Sequence, residues 1–285
     1  MRPVLLPAIE RVGRAVLRSR GVSTRFVETS LGPVHVFDGP GRGSLPPVVV
    51  LQGLGSSTVA STPFIARLLP HVRRVVAPDY PGKGFSPEAR ARVTPDALGD
   101  AMVEALDALA GEPAIVVGNS LGGAVALRYA IARPAQVAGL VLLSPAGARS
   151  TEDEWRAIVA SFDIRSRADA KSLFDRLYHR VPLVPRLLAH EVGALMSRRT
   201  VREILAGATA EDAHDPAALG SLPMPVLLVW GKSDRLFPES HFAYYRRHLP
   251  PHTITDRPER IGHTPHGEAP AWAAERVLQF ARQLP

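Results

Sequence analysis

The chain alternates between short continuous apolar runs and longer segments whose apolar residues recur at helical spacing. Continuous apolar runs of this length are typical of strands that are buried on both faces. They occupy residues 47–51, 74–77, 114–117, 137–143 and 226–230. Helical spacing is found between them over residues 63–69, 96–110 and 121–132. This alternation predicts a parallel sheet covered by helices, which is an α/β fold.

Weaker patterns extend the predicted sheet at both of its ends. Two strand-like runs, residues 24–29 and 33–37, are separated by Leu31-Gly32, which predicts a hairpin. The segment that follows residue 230 predicts a helix over 239–249, a short strand over 253–255 and a closing helix over 271–284. The expected core is therefore a mostly parallel sheet of eight strands.

Residues 147–222 contain no strand pattern and predict a helical insertion after the sixth strand. Thr151 and Glu154 have the spacing of a capping box for a helix that runs through residue 162. Further helices are expected over 169–179 and 201–205, with a hinge-like break at the Val-Pro-Leu-Val-Pro of residues 181–185. The insertion carries the large apolar residues Trp155, Phe162, Phe174, Leu177 and Tyr178. They are expected to form the insertion's own core, and some of them also the walls of an apolar substrate pocket.

The first 20 residues form a third unit, ahead of a core made of residues 21–146 and 223–285. Residues 3–18 predict an amphipathic helix, with Leu5, Ile9, Val12 and Val16 at helical spacing and arginines on the other face. Its apolar side is expected to pack on the domain itself or on a partner subunit. The alternative is peripheral contact with an anionic membrane surface through residues 1–20.

Composition narrows the functional classes. The net charge of +7 is concentrated at the start of the chain, where residues 1–25 hold six arginines and one glutamate. No basic stripe interleaved with aromatic residues follows, so nucleic-acid binding is not predicted. The chain has no cysteine, which excludes disulfide and thiolate chemistry. No apolar run approaches the roughly 18 residues that cross a bilayer, and charged residues interrupt any signal-peptide core, so a cytoplasmic location is expected.

Ser120 is the candidate nucleophile. It lies in Gly118-Asn119-Ser120-Leu121-Gly122, directly after an apolar run and directly before a helical pattern. A sharp turn between strand and helix holds the central serine at strained backbone angles, and the glycines two residues before and after it avoid collision there. The serine hydroxyl would then be exposed at the carboxyl end of a central strand.

A serine hydroxyl needs a base, and the base needs an acid that fixes its tautomer. Asp234 follows the strand 226–230 in the loop Gly-Lys-Ser-Asp, and His263 lies in the loop Gly262-His263 before the final helix. Both loops are at the carboxyl ends of strands, the same edge of the sheet as Ser120. The predicted catalytic set is therefore Ser120, Asp234 and His263, in the chain order nucleophile, acid, base.

Three other residues near the predicted site have to be assigned. His266 is the rival base, and Asp79 lies on the same edge, although the Pro-Gly turn after it favours a structural role. Glu268 is expected to cap or brace the last helix. No His/Asp/Glu cluster has metal-ligand spacing, and the first strand–helix junction lacks a dinucleotide-binding glycine pattern, so neither a metal nor another cofactor is predicted.

From residue 24 to the end the chain resembles an α/β-hydrolase, and it is similar to bacterial esterases and monoacylglycerol-lipase-like serine hydrolases. The resemblance rests on the motif Asp79-Tyr-Pro-Gly-Lys-Gly-Phe-Ser86, the turn at Ser120, Gly231-x-x-Asp234 and Gly262-His263. It implies that residues 147–222 are a helical cap. It also implies an oxyanion hole built from the backbone N–H groups of Leu54 and Leu121. The family usually has histidine where this chain has Gln52, which is interpreted as an organiser of the oxyanion loop.

The expected activity is the hydrolysis of carboxylic esters with medium or longer acyl chains through an acyl-enzyme. One alternative keeps the triad but cleaves C–C bonds of ring-fission products; against it, the oxyanion loop reads Gly-Leu-Gly-Ser-Ser rather than the Gly-Pro-Gly type. A non-catalytic ligand-binding or receptor protein on the same fold is the alternative of another class. The serine at position 120 argues against relatives that use a carboxylate nucleophile.

Overall fold

A computed structural model describes residues 4–284 of the chain. Its sheet contains eight strands, and each coincides with a predicted one. They are β1 (Ser23–Val27), β2 (Val34–Pro40), β3 (Val48–Leu51), β4 (Arg74–Pro78), β5 (Ala114–Asn119), β6 (Val137–Leu143), β7 (Val226–Val229) and β8 (Ile254–Asp256). The prediction of an eight-stranded α/β fold is confirmed.

The spatial order of the sheet is β1-β2-β4-β3-β5-β6-β7-β8. β2 pairs antiparallel with β1 and β4, and all other neighbours are parallel. β5 lies near the centre, and all six of its residues are buried. β4 lies on one side of β3 and β5 on the other, so the order in which strands are added to the sheet reverses between β3 and β5. In such sheets a ligand crevice is expected at the carboxyl ends of the strands at this point, which include β5.

Helices cover both faces of the sheet, and most were predicted to within a few residues. Those of the core are α1 (Leu5–Ser19), α2 (Thr62–Leu68), α3 (Pro95–Leu109), α4 (Leu121–Ala132), α11 (Glu239–His248), α12 (Pro265–Glu268) and α13 (Pro270–Ala281). The helix predicted over 3–18 begins at Leu5, and residue 3 lies outside the described residues. The closing helix ends at Ala281 rather than at 284. None of the helices in residues 4–284 combines the length and apolar character of a membrane-crossing segment.

Six helices and no strand lie between β6 and β7. They are α5 (Glu152–Ala160), α6 (Arg167–Leu177), α7 (Leu183–Leu188), α8 (Val192–Met196), α9 (Arg199–Gly207) and α10 (Pro216–Gly220). We call this stretch, residues 147–222, the insertion. The capping box at Thr151 and Glu154 is formed, with the N–H of Glu154 donating to Thr151 Oγ1 over 3.2 Å.

The hinge-like break predicted over residues 181–185 is only partly correct. The chain does interrupt its helices after Leu177, but α7 begins at Leu183 and includes Pro185. Proline is tolerated there because the first N–H groups of a helix have no intrahelical acceptor. The sequence pattern also missed α8, α10 and α12, which are four or five residues long. Asp215-Pro216 could have indicated α10, since Asp215 caps it by accepting from the N–H of Ala218.

Candidate active site

The turn between β5 and α4 holds Ser120 in a strained conformation. Ser120 has φ 55° and ψ −121°, a region that costs a residue with a side chain roughly 1–3 kcal/mol. A Cβ added to Gly118 would lie 2.2 Å from the carbonyl oxygen of Gly122, and one added to Gly122 would lie 2.3 Å from that of Leu51. Only glycine fits at either position, as the pattern predicted.

Backbone hydrogen bonds hold this turn in place. The N–H of Ser120 donates to the carbonyl of Leu143 at the end of β6, over 3.1 Å. The carbonyl of Ser120 accepts from the N–H groups of Gly123 and Ala146 at 2.8 and 2.9 Å. The strained residue is therefore fixed between β6 and the first turn of α4, and its side chain is buried with 8% of the residue exposed.

His263 and Asp234 form a buried pair. His263 Nδ1 donates to Asp234 Oδ2 over 2.8 Å, and both side chains are about 1% exposed. The other oxygen of Asp234 accepts from the N–H groups of Leu236 and Phe237, which fixes the carboxylate in the loop after β7. The edge of the Phe237 ring packs against the His263 ring at a centroid distance of 4.7 Å. Asp234 can thus orient the imidazole and stabilise its cation.

The second ring nitrogen of His263, Nε2, is buried and has no hydrogen-bond partner within residues 4–284. No hydrogen bond joins it to Ser120 in this arrangement. The backbones of the two residues are nevertheless connected, because the side-chain Nδ2 of Asn119, the neighbour of Ser120, donates to the carbonyl of His263 over 2.8 Å. The same amide donates to Leu143. No sequence pattern predicts this role of Asn119.

The residues that were predicted as rivals occupy other positions. His266 lies on α12 with its ring against Phe64, and burial, followed by the charge of His263, lowers its pKa to about 4. Asp79 is buried and accepts from the N–H groups of Thr58 and Phe85 and from His35 Nδ1. These contacts tie the loop after β4 to neighbouring segments. Neither residue contacts Asp234 or His263 through a hydrogen bond.

Glu268 was expected to cap or brace the last helix, and this was wrong. It is the final residue of α12, and its carboxylate accepts from the N–H of Gly262 at 2.8 Å. It also accepts from the N–H groups of His179 and Arg180 in the insertion, at 3.1 and 2.6 Å. The N–H of His263 in turn donates to the carbonyl of Leu177 over 2.7 Å. The insertion is thereby bonded to the loop that carries His263.

The loop after β3 lies against the serine turn. A Cβ on Gly53 would be 3.4 Å from Ser120 Cβ, so this loop approaches Ser120 closely. The N–H of Leu54 donates to no acceptor in the described chain, and that of Leu121, the first residue of α4, has no intrahelical acceptor. Two backbone donors without an acceptor, in the two segments that meet at Ser120, could supply an oxyanion hole.

Gln52 fixes one end of this loop. It is buried, and its Oε1 accepts from Ser61 Oγ over 2.6 Å, while its Nε2 has no partner within residues 4–284. At the other end Gly55 has φ 76°, and a Cβ there would lie 2.2 Å from Met196 Cε. Met196 belongs to α8, so the insertion contacts the loop after β3 as well as the loop with His263.

No group of three or more His, Cys, Asp or Glu side chains that could hold a metal ion occurs in residues 4–284. The polar groups at this edge of the sheet can support acid–base and nucleophilic chemistry. They comprise a hydroxyl on a strained turn, a histidine oriented by a carboxylate, and two backbone donors.

The chain is similar in sequence to known hydrolases. The family described as alpha/beta hydrolase fold matches residues 46–181. The 2-hydroxymuconate semialdehyde hydrolase of Pseudomonas sp. (strain CF600) is 31% identical over 80% of this chain and 79% of its own. The pimeloyl-[acyl-carrier protein] methyl ester esterase of Yersinia pseudotuberculosis is 28% identical over 83% of this chain and 93% of its own.

A solved structure extends the comparison to the whole fold. The carboxylesterase CesB of Bacillus subtilis superposes with a TM-score of 0.75 at 22% sequence identity, over 96% of this chain and 98% of that one. At this identity the match concerns the fold alone. Together with the relative that is 31% identical over most of both lengths, these matches show that the chain belongs to the α/β-hydrolase superfamily, as its sequence motifs had indicated.

Proposed function

We propose that the protein is a serine hydrolase that cleaves carboxylic esters through an acyl-enzyme. The observation that carries this proposal is the buried pair of His263 and Asp234. The Nε2 of His263 has no hydrogen-bond partner within residues 4–284, and the carbonyl of His263 is bonded to Asn119, the neighbour of Ser120. In this mechanism His263 takes the proton of Ser120 as the hydroxyl attacks the ester carbonyl.

The remaining steps use groups that are already fixed in the fold. Asp234 holds His263 in the tautomer with hydrogen on Nδ1 and stabilises the imidazolium. The N–H groups of Leu54 and Leu121 donate hydrogen bonds to the carbonyl oxygen and stabilise its negative charge. Each such donor contributes about 2.7–4 kcal/mol to transition-state stabilisation. His263 then protonates the leaving alcohol, and a water activated by His263 releases the acid from Ser120.

The insertion acts as a cap over this site in the proposed mechanism. Its Met196 lies against Gly55, and its Leu177 accepts from the N–H of His263. The contact of Leu177 is made by its backbone carbonyl. The side chains of Met196 and Leu177 pack with Phe174 and Tyr178 in the same apolar cluster. An apolar cap of this kind suits medium or longer acyl chains, as in monoacylglycerol-like esters.

A second candidate is hydrolysis of a C–C bond in a ring-fission product by the same triad. It is favoured by the relative named as 2-hydroxymuconate semialdehyde hydrolase, which is 31% identical. The relative named as a methyl ester esterase supports the ester reaction. The loop sequence Gly53-Leu54-Gly55-Ser56 also favours esters over C–C substrates. A non-catalytic binding protein on this fold is the third candidate, and covalent labelling of the serine separates it from both.

The test is hydrolysis of p-nitrophenyl esters of increasing chain length, alongside a vinylogous diketone and a fluorophosphonate probe. Ser120→Ala is expected to abolish labelling and to lower kcat by at least about 10⁴-fold. Ser144→Ala is the matched control, since Ser144 is also buried with positive φ, at 43°, beyond the end of β6. Substantial turnover by Ser120→Ala would refute the assignment, and faster cleavage of the diketone than of any ester would favour the second candidate.

A further inference from the structure

The exposed apolar side chains of the protein are concentrated on two helices. Of ten large apolar residues that are exposed within residues 4–284, seven lie on or beside α1 and α7. They are Val4, Leu5, Val12 and Val16 at α1, and Leu183, Val184 and Leu187 on α7. Single exposed apolar residues are ordinary on protein surfaces, whereas a concentration of them marks an interaction site.

The way α1 packs turns its apolar stripe outward. Gly13 and Leu17 are buried, and a Cβ on Gly13 would lie 2.2 Å from Val59 Cγ1, so the helix lies directly on the turn before α2. At 100° per residue, Leu5, Val12 and Val16 fall within a narrow sector on a different face of the helix. Val12 is 63% exposed. The stripe is therefore left uncovered because another face of α1 makes the contact with the core.

Glu191 joins the two helices. Its carboxylate accepts from the first N–H groups of α1, those of Val4, Leu5 and Leu6, at 2.6–2.7 Å. The N–H of Glu191 donates to the carbonyl of Leu188, the last residue of α7, over 2.8 Å. The start of α1 and the end of α7 thus meet at one buried carboxylate, and the exposed residues Val4, Leu5 and Leu187 are next to it in sequence or within one turn of its bonded neighbours.

Unpaired cations accompany these apolar faces. Arg11 and Arg18 on α1 and Arg186 on α7 are exposed, and none has a carboxylate within 4 Å in the described chain. The only acidic residue of α1, Glu10, is half-buried, and α7 has none. Exposed arginines without a carboxylate within 4 Å also occur elsewhere, for example Arg246 and Arg247 on α11. What distinguishes α1 and α7 is that such arginines lie beside the concentration of exposed apolar side chains.

We propose that α1 and α7 form one docking surface for the interface between water and a bilayer of anionic phospholipid. Aliphatic side chains insert among the acyl chains near the headgroups while the arginines bind lipid phosphates, which is the chemistry of amphipathic helices that lie in a membrane plane. A surface for a protein partner would be expected to offer aromatic anchors, and the seven residues are all valine or leucine. Because α7 belongs to the insertion, docking also brings the insertion to the bilayer.

The proposal concerns binding and does not depend on the proposed ester hydrolysis, so the two can fail separately. The test is co-sedimentation of the full chain carrying Ser120→Ala, which cannot hydrolyse the lipid, with vesicles of phosphatidylcholine alone or mixed with phosphatidylglycerol. We expect binding to the mixed vesicles and little to the neutral ones. Val12→Gln with Val16→Gln, or Leu183→Gln with Leu187→Gln, should weaken binding at least about tenfold. Arg11→Gln with Arg18→Gln should weaken it roughly 30-fold on anionic vesicles only.

Ile131→Gln with Ile254→Gln is the matched control, because both isoleucines are 38% exposed and lie away from α1 and α7. This double variant should bind as tightly as its parent. The proposal is overturned if the parent fails to sediment with either vesicle, or if the α1 and α7 variants bind as the control does. It is also overturned if the chain is a dimer in light scattering and Val12→Gln with Val16→Gln makes it monomeric, since a second copy then covers the surface.

Discussion

The side-chain amide of Asn119 donates to the carbonyl oxygen of His263 over 2.8 Å, across 144 positions of the sequence. Asn119 precedes Ser120 at the end of β5, whereas His263 lies beyond β8. The hydrogen bond is buried and fixes the backbone of the candidate base relative to the candidate nucleophile. Asn119 is therefore a positioning residue that acts through His263.

Asn119→Ala is expected to lower kcat by about 10- to 100-fold with little change in KM. A displacement of about 1 Å between reacting groups has an effect of this size, while substrate contacts are not altered. Ester hydrolysis measured over a range of substrate concentrations separates the two constants. An unchanged kcat in the folded variant would contradict the positioning role, and so would a loss confined to KM.

The two histidines between β8 and the last helix, His263 and His266, should differ sharply in their effect on catalysis. His263 is paired with Asp234, whereas His266 packs against Phe64. His263→Ala should lower kcat at least about 10⁴-fold because the serine loses its base. His266→Ala should remain within about tenfold of the parent enzyme. Comparable losses in both variants would contradict the assignment of His263 as the base.

The hydrogen bonds that Glu268 makes between the insertion and the loop with His263 should stabilise the folded state. Glu268→Gln keeps the size of the side chain but replaces one acceptor oxygen by a donor that faces N–H groups. The loss of charge-assisted hydrogen bonds to Gly262, His179 and Arg180 should lower the free energy of unfolding by about 2 kcal/mol, measured with urea.

Glu275→Gln is the control for Glu268, because Glu275 is half exposed on α13 and pairs with Arg282. Its unfolding free energy should stay within about 0.5 kcal/mol of the parent value. Equal effects of the two substitutions would show that the three backbone contacts of Glu268 do not stabilise the fold.

The sequence predicted the sheet well because its signal is local. A run such as Ala114 to Val117 is apolar on both faces only because helices cover both faces of a parallel sheet, so four residues suffice to identify the strand. The candidate residues Ser120, Asp234 and His263 were predicted in the same way. Ser120 and His263 lie beside a recognisable strand or glycine, Asp234 lies four residues after a strand, and the carboxyl ends of parallel strands share one edge.

The contacts that organise the site could not be predicted because they join distant segments. Glu268 bonds to residues 88 and 89 positions away, and Glu191 bonds to residues up to 187 positions away. Neither carboxylate lies in a motif that distinguishes it from a solvent-exposed glutamate. Short helices such as α8 and α12 were not predicted for a different reason. Four or five residues contain too little of the helical period to be recognised.

The pKa of His266 leads to a prediction about acid stability. Burial lowers this pKa to about 4, from an ordinary value near 6.5. The folded state therefore keeps His266 neutral between these two values, while the unfolded chain binds a proton. The contribution of neutral His266 to the free energy of unfolding is fully present above pH 6.5 and is lost as the pH falls towards 4. At pH 5 this loss amounts to about 2 kcal/mol. Urea unfolding at pH 7.5 and at pH 5 measures the difference.

His266→Leu should reduce the difference in unfolding free energy between pH 7.5 and pH 5 by about that amount, because the leucine has no proton to bind in either state. His71→Leu is the control for the substitution of histidine by leucine itself, since His71 is exposed. The sign of the change in this difference decides between the two possibilities. If His266→Leu made the protein more sensitive to acid than its parent, the folded state would have to favour the protonated histidine, which contradicts burial of His266 against Phe64.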